Sequence, residues 1–136
     1  MNPPTALRVF IVEDSSVLRE YLAEMMAHID SVEVVGQADT EVSATSALNR
    51  IEWDVMLLDL QLRQGSGLGV LRDLHRARRP DTTVIVFTNY AYPQYRVRSL
   101  LQGADYFFDK QQHMTLLQSL VRQLAVDRKR GLGLMH

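Results

Sequence analysis

Cysteine is absent from the 136 residues. That excludes disulfide scaffolds, thiol catalysis and cysteine-ligated zinc or iron–sulfur centres, and it fits a reducing compartment. Lysine occurs only at Lys110 and Lys129, and the net charge is −1. The chain therefore has neither the basic excess of a general nucleic-acid or membrane-surface binder nor a polyacidic tail. No window approaches the ~18 uninterrupted apolar residues of a membrane span. The opening MNPPTALRVFIVED lacks the apolar run of a signal peptide, so the expected location is the cytoplasm. There are no internal repeats, low-complexity stretches or linkers long enough to mark a second domain. The histidines (His28, His75, His113 and His136) show no metal-ligand spacing and read as surface or partly buried residues.

What is present is an ordinary globular composition, 46% apolar and 23% charged, in a chain long enough for one domain with a sizeable core. Two periodicities alternate. Val9 to Val12, Val55 to Leu58, Val84 to Phe87 and Tyr106 to Phe108 are short apolar runs of the kind buried on both faces of a sheet. Val32 to Ala38 is more mixed, with Glu33 and Gln37 inside it, and reads as an edge strand. Between the runs the spacing turns helical. The faces are Val17, Leu18, Tyr21, Leu22, Met25 and Ile29; then Ala44, Ala47, Leu48 and Ile51; then Val70, Leu71 and Leu74. Val97, Leu100 and Leu101 belong to a fourth helix, and Leu116, Leu117, Leu120, Val121 and Leu124 to a fifth. Asp39 or Thr40 can cap the second helix, and Pro93 suits the first turn of the fourth. Five strands alternating with five helices predict an α/β domain over residues 1–127, a parallel sheet covered on both faces. Residues 128–136 read as a short tail without an obvious packing role.

In an open α/β sheet, ligands bind beyond the carboxyl ends of the strands. Glu13 and Asp14 follow the first run, Asp59 the third, Thr88 the fourth, and Asp109 and Lys110 the fifth. Singly, each reads as a turn former, cap or surface group. Together, crowded carboxylates repel unless a cation sits among them, and hard oxygen ligands suit Mg²⁺. Lys110, in a chain that otherwise prefers arginine, offers a compact charge with rotatable donors.

The segments VED-S (Val12 to Ser15), LLDLQL (Leu57 to Leu62), VIVFTN (Val84 to Asn89) and GADYFFDK (Gly103 to Lys110), in this order, resemble the receiver domain of two-component response regulators. The resemblance runs from Arg8 to about Asp127. It implies a flavodoxin-like, doubly wound five-stranded sheet in the order 2-1-3-4-5. It also implies that Asp59 is the phosphoacceptor, that Asp14 ligates Mg²⁺ directly and Glu13 through water, and that the Gln61 backbone carbonyl and Asp59 complete the protein ligands. Thr88 and Lys110 would answer the phosphoryl oxygens, and Thr88 with the Phe107 ring would form the switch. The implied donor is a histidine kinase, a phosphotransfer protein or a small acyl phosphate. The implied output is a partner protein or domain on the face of the fourth helix, fifth strand and fifth helix. A monomer or a phosphorylation-dependent homodimer is expected, with no direct nucleic-acid or membrane binding. It would not be an enzyme beyond its own phosphorylation and dephosphorylation.

The departures from the family pattern are local. Arg63 replaces the usual proline four residues after the phosphoacceptor. Gln111 replaces the proline that usually follows the site lysine after a cis bond, so either that bond is strained here or the loop is rebuilt. Asn89 is bulkier than the usual small residue, and Phe107 lacks the hydroxyl of the frequent tyrosine. Arg72, Arg76, Arg78 and Arg79 read as cations at a helix carboxyl end, Trp53 as a core-edge ring, and 127–130 as a solvated helix end. Tyr90, Tyr92 and Tyr95 suit packing or an interface equally.

Three readings compete. A haloacid-dehalogenase-like phosphatase would want an acid at Gln61, and a flavodoxin-like cofactor protein would want a phosphate loop where Glu13 and Asp14 stand. No DNA-binding helix-turn-helix or catalytic output segment fits after residue 127, which favours a stand-alone receiver, with the receiver part of a longer DNA-binding regulator as the alternative.

Overall fold

The computed structural model describes residues 5–76 and 78–134. Five strands alternate with five helices: β1 (Leu7–Val12), α1 (Ser16–Ala27), β2 (Val32–Ala38), α2 (Glu41–Leu48) and β3 (Val55–Leu58) come first. They are followed by α3 (Gly67–Leu74), β4 (Thr83–Thr88), α4 (Pro93–Leu101), β5 (Tyr106–Asp109) and α5 (Met114–Leu134). The sheet is parallel throughout, in the order β2-β1-β3-β4-β5. The mixed segment 32–38 is indeed at an edge.

Side-chain alternation divides the core in two. Phe10, Val12, Met56, Leu58, Val84, Val86 and Phe107 point to the face covered by Ala44 and Ala47 of α2 and by Val70 and Leu71 of α3. Val9, Ile11, Val55, Leu57, Ile85 and Phe87 point to the other, against Leu22 and Met26 of α1 and Leu117, Val121 and Ala125 of α5. Strands buried from both sides need apolar residues at every position, which is why their sequences do not alternate.

Helix starts lie at the carboxyl rim of the strands, and the local sequence caps them. The Ser15 hydroxyl accepts from the Leu18 N–H, and the Ser66 hydroxyl from the Leu68 N–H. Thr40, not Asp39, caps α2, in a capping box with Ser43. Pro93 occupies the first turn of α4, where the missing N–H costs nothing.

Three expectations are revised. Of the four arginines assigned to the end of the third helix, only Arg72 lies in its last turn. Arg78 instead donates to the carbonyls of Gly103 and Thr82, both at 2.6 Å, and Arg79 to the Trp53 carbonyl. They satisfy partly buried loop carbonyls, so no helix dipole explains them. Second, α5 continues to Leu134, where a tail was expected from residue 128. Arg128 donates to the Ala6 carbonyl at 3.0 Å and to Asp54 Oδ1 at 3.1 Å, fastening this stretch to the base of the sheet. Third, Trp53 is a core residue rather than one at the core edge. Met135 and His136, at the end of the expected tail, fall outside the described residues.

One buried group stands out on α4. The Ser99 hydroxyl is fully buried with no hydrogen-bond partner among the described residues. Ser99→Ala is expected to stabilise the fold by about 1 kcal/mol, because a desolvated, unpaired hydroxyl is removed from a helix without leaving a large void. Urea denaturation monitored by far-UV circular dichroism checks the sign.

Candidate functional site

Backbone pairing sets the site. Asp59 N–H donates to the Val12 carbonyl at 3.0 Å, and Lys110 N–H to the Thr88 carbonyl at 3.0 Å. The ends of β1, β3, β4 and β5 are thereby held level, and the residues following them converge. Glu13, Asp14 and Asp59 bring carboxylate oxygens within 4.8 Å of one another. Glu13 and Asp59 are buried and Asp14 half-buried.

Lys110 reaches into this cluster. Its Nζ lies 2.6 Å from Glu13 Oε1 and 2.7 Å from Asp59 Oδ2. The remaining carboxylate oxygens are also engaged, Glu13 Oε2 by the Ser15 N–H at 3.0 Å and Asp59 Oδ1 by the Gln61 N–H at 3.3 Å. Arg19 donates to the Glu13 carbonyl at 2.8 Å, tying α1 to the same corner.

The electrostatics follow from burial and charge excess. Burial pushes the Glu13 carboxyl up, with help from the Asp59 charge, and the bonds from Lys110 and Ser15 only partly oppose it. Burial pulls the Lys110 ammonium down, but the hydrogen bonds and charges of Asp59 and Glu13 together outweigh it and leave the group above its ordinary value. One ammonium answers two carboxylates, and Asp14 has no ion-pair partner among the described residues. The unbalanced negative charge and the all-oxygen donor set fit a hard divalent cation.

Thr88 is fully buried, and its hydroxyl accepts from the Tyr90 N–H at 3.1 Å. Phe107 pairs with Val86 in register, on the face that also carries Thr88, and its ring is in the core. The structure thus brings Glu13, Asp14, Asp59 and Lys110 into one cluster, with the Gln61 backbone adjacent, and leaves Thr88 engaged with its own loop.

The loop after Lys110 is rebuilt without the family proline. Every described peptide bond is trans, Lys110–Gln111 included. Asp109 organises the turn: its Oδ1 accepts from the Gln111 N–H at 2.8 Å and its N–H donates to His113 Nδ1 at 2.9 Å. The role of His113 was not foreseen, since Asp109 and His113 flag it only by their four-residue spacing.

Tyr90, Tyr92 and Tyr95 form a three-ring cluster, with centroids 6.2–6.5 Å apart. Tyr90 and Tyr92 remain 40% and 55% exposed, so the cluster packs upon itself and still presents surface.

Among the described residues no helix is long and apolar enough to cross a membrane. The chain is 32% identical over 121 residues to an uncharacterized response regulatory protein of Vibrio cholerae, a match covering 86% of this chain and 49% of that protein. It is 31% identical over 98 residues to the DNA-binding transcriptional activator DevR/DosR of Mycobacterium tuberculosis, covering 72% and 45%. The chain thus spans about half the length of these curated relatives. The crystal structure of a CheY-like receiver domain protein from Methanospirillum hungatei superposes with a TM-score of 0.79 at 22% identity, covering 93% of this chain and 98% of that one, a likeness of fold. Residues 9–122 match the response regulator receiver domain, and with the five-stranded 2-1-3-4-5 sheet and the acidic rim in place, the chain belongs to that family.

Proposed function

We propose that this chain is a phosphoacceptor receiver that takes a phosphoryl group on Asp59 and switches a partner protein. The observation that carries the reading is Lys110 Nζ, 2.7 Å from Asp59 Oδ2, in the midst of the carboxylate cluster. Phosphoryl transfer is mostly positioning and charge neutralisation, and this cluster supplies both.

Asp59 attacks phosphorus through a carboxylate oxygen, forming an acyl phosphate. The P–N bond of a phosphohistidine donor, or the P–O bond of a small acyl phosphate, breaks, and the donor leaves with the electron pair. Lys110 follows the charge from carboxylate to phosphoryl oxygen. Thr88 exchanges its bond from Tyr90 for one donated to a phosphoryl oxygen. Asp14, Asp59 and the Gln61 carbonyl, with Glu13 through a water, would hold Mg²⁺, which supplies charge neutralisation on the phosphoryl oxygens. Gln61 places no acid two residues after Asp59, which argues against a dehalogenase-like phosphatase and for a chain with no turnover beyond its own acyl phosphate.

For the output, movement of Thr88 would be felt by the tyrosine cluster and by Phe107, and so by the face of α4, β5 and α5. That face is already apolar in part, with Val97 and Tyr106 exposed, as suits a partner protein or a second receiver. The donor would be a cytoplasmic histidine kinase or phosphotransfer protein.

The test is an intact-mass measurement after incubation with acetyl phosphate and Mg²⁺. A gain of one phosphoryl mass, lost when EDTA precedes the donor, is the expected result. Continuous release of phosphate with no modified protein would favour the phosphatase, and no change of either kind would refute the reading. A second reading, the receiver part of a longer DNA-binding regulator, draws on DevR/DosR, of which the match covers 45%. Sequencing the native gene on both sides of this segment decides between them.

A further inference from the structure

Glu41, the first residue of α2, lies outside the acidic cluster, yet it holds the loop that follows Asp59 by both backbone and side chain. Its N–H donates to the Gln64 carbonyl at 3.0 Å, and its carboxylate accepts from the Ser66 N–H at 3.0 Å. The seat is shaped to this side chain. A Cβ on Gly69 would fall 2.3 Å from a Glu41 carboxylate oxygen, and one on Gly65, whose φ is +78°, would fall 2.4 Å from the Glu41 Cβ. The carboxylate also sits at the start of α3, where the helix favours negative charge.

From this seat a continuous path leads to the phosphoacceptor. Ser66 forms an isolated antiparallel bridge with Gln61, and the Gln61 N–H donates to Asp59 Oδ1. Arg63 occupies the position where the family usually has proline, so the loop lacks that backbone restraint. The Arg63–Asp39 pair nearby is largely in solvent and restrains it little.

We infer that Glu41 is a positioning residue: it holds the 61–66 loop so that the Gln61 carbonyl and the Asp59 carboxylate keep one arrangement toward a divalent cation. The inference rests on the metal-assisted phosphoacceptor reading above. A clamp from α2 thus does from outside the loop what proline would do within it.

The experiment is calorimetric titration of Mg²⁺ into wild type, Glu41→Ala and Glu41→Gln, with amide hydrogen exchange and melting temperature measured on the same proteins. Glu41→Ala is expected to weaken Mg²⁺ binding about tenfold, as loss of an outer-shell partner does, and to speed exchange at both Ser66 and Gln61. Glu41→Gln still offers Ser66 an oxygen and is expected to keep most of the affinity. If Glu41→Ala does not fold, Glu41→Asp, which withdraws the carboxylate by one methylene, reads the same loss. Equal Mg²⁺ affinity in wild type and Glu41→Ala overturns the inference alone, even if the melting temperature falls. Faster exchange confined to Ser66 also overturns it, since the carboxylate would then merely cap α3. Failure of the wild type to take up Mg²⁺ would overturn both the inference and the reading beneath it.

Discussion

Asp59→Asn is expected to fold as the wild type does and to take up no phosphoryl group from acetyl phosphate. An amide nitrogen or oxygen at this position forms no acyl phosphate, so the loss is complete rather than graded. The fold should tolerate the change because asparagine keeps an oxygen for the Gln61 N–H, and Lys110 keeps Glu13 at 2.6 Å. Stability should even rise slightly, since the charge of Asp59 is one of the causes that push the Glu13 carboxyl up. Intact mass and a thermal melt, run together, check both halves. Undiminished uptake would move the acceptor elsewhere.

The largest expected effect on stability lies at the opposite end of β3. Asp54 is buried and accepts from the Arg8 N–H, Nε and Nη2 at 2.8–3.0 Å and from Arg128 Nη1 at 3.1 Å. Asp54→Ala takes the carboxylate from two guanidinium groups and a backbone N–H, leaving Arg8 with the exposed Glu52 and Arg128 with the Ala6 carbonyl. Removing one member of a buried ion pair costs about 3–5 kcal/mol. The lower end applies, because the Arg8 and Arg128 side chains keep 25% and 21% exposure. A loss of about 3 kcal/mol corresponds to roughly 10 °C in Tm for a domain of this size.

The same cluster predicts a pH dependence. Burial alone would raise the Asp54 carboxyl, but the bonds from Arg8 and the charges of Arg128 and Arg8 hold it below the usual carboxylate range. A carboxyl depressed in the folded state contributes stability that is fully present above its unfolded pKa and is lost as pH falls through the folded one. The wild type should therefore lose this increment only below about pH 4. The difference in stability between wild type and Asp54→Ala should shrink over that acid range and stay constant from there to neutrality. Denaturant titrations at several pH values check this.

These two aspartates also show what could be read from the chain and what could not. Asp59 was legible because it follows a four-residue apolar run and belongs to a set of acids each placed after a strand. The alternation of strands and helices, the helix faces and the rim residues follow from the same local patterns, whereas the strand order 2-1-3-4-5 comes only with the family resemblance. Asp54 carries no such mark. Its partners lie 46 and 74 residues away, and nothing local distinguishes it from any acid before a strand. Arg78 reads as a helix-end cation for a similar reason: its acceptor at Gly103 lies 25 residues on, in a loop that only the fold brings near. The last helix was cut short because 127–130 is charged and Gly131 follows, a composition that reads as an ending until Arg128 is seen to have a buried partner. Nothing local marks Glu41 either, since the helix dipole sufficiently explains an acid in a first turn.

Asp54 and Asp59 bracket one short strand. At ~3.3 Å per residue they are ~16 Å apart, beyond the ~10 Å at which substitutions usually stop influencing one another. The Arg8–Asp54–Arg128 knot and the Lys110-centred cluster therefore behave as separate traits of one molecule. A lineage could exchange the residues around Asp59 without approaching the threshold for unfolding. It could equally loosen or tighten the base of the sheet while the acidic rim at the other end kept its geometry.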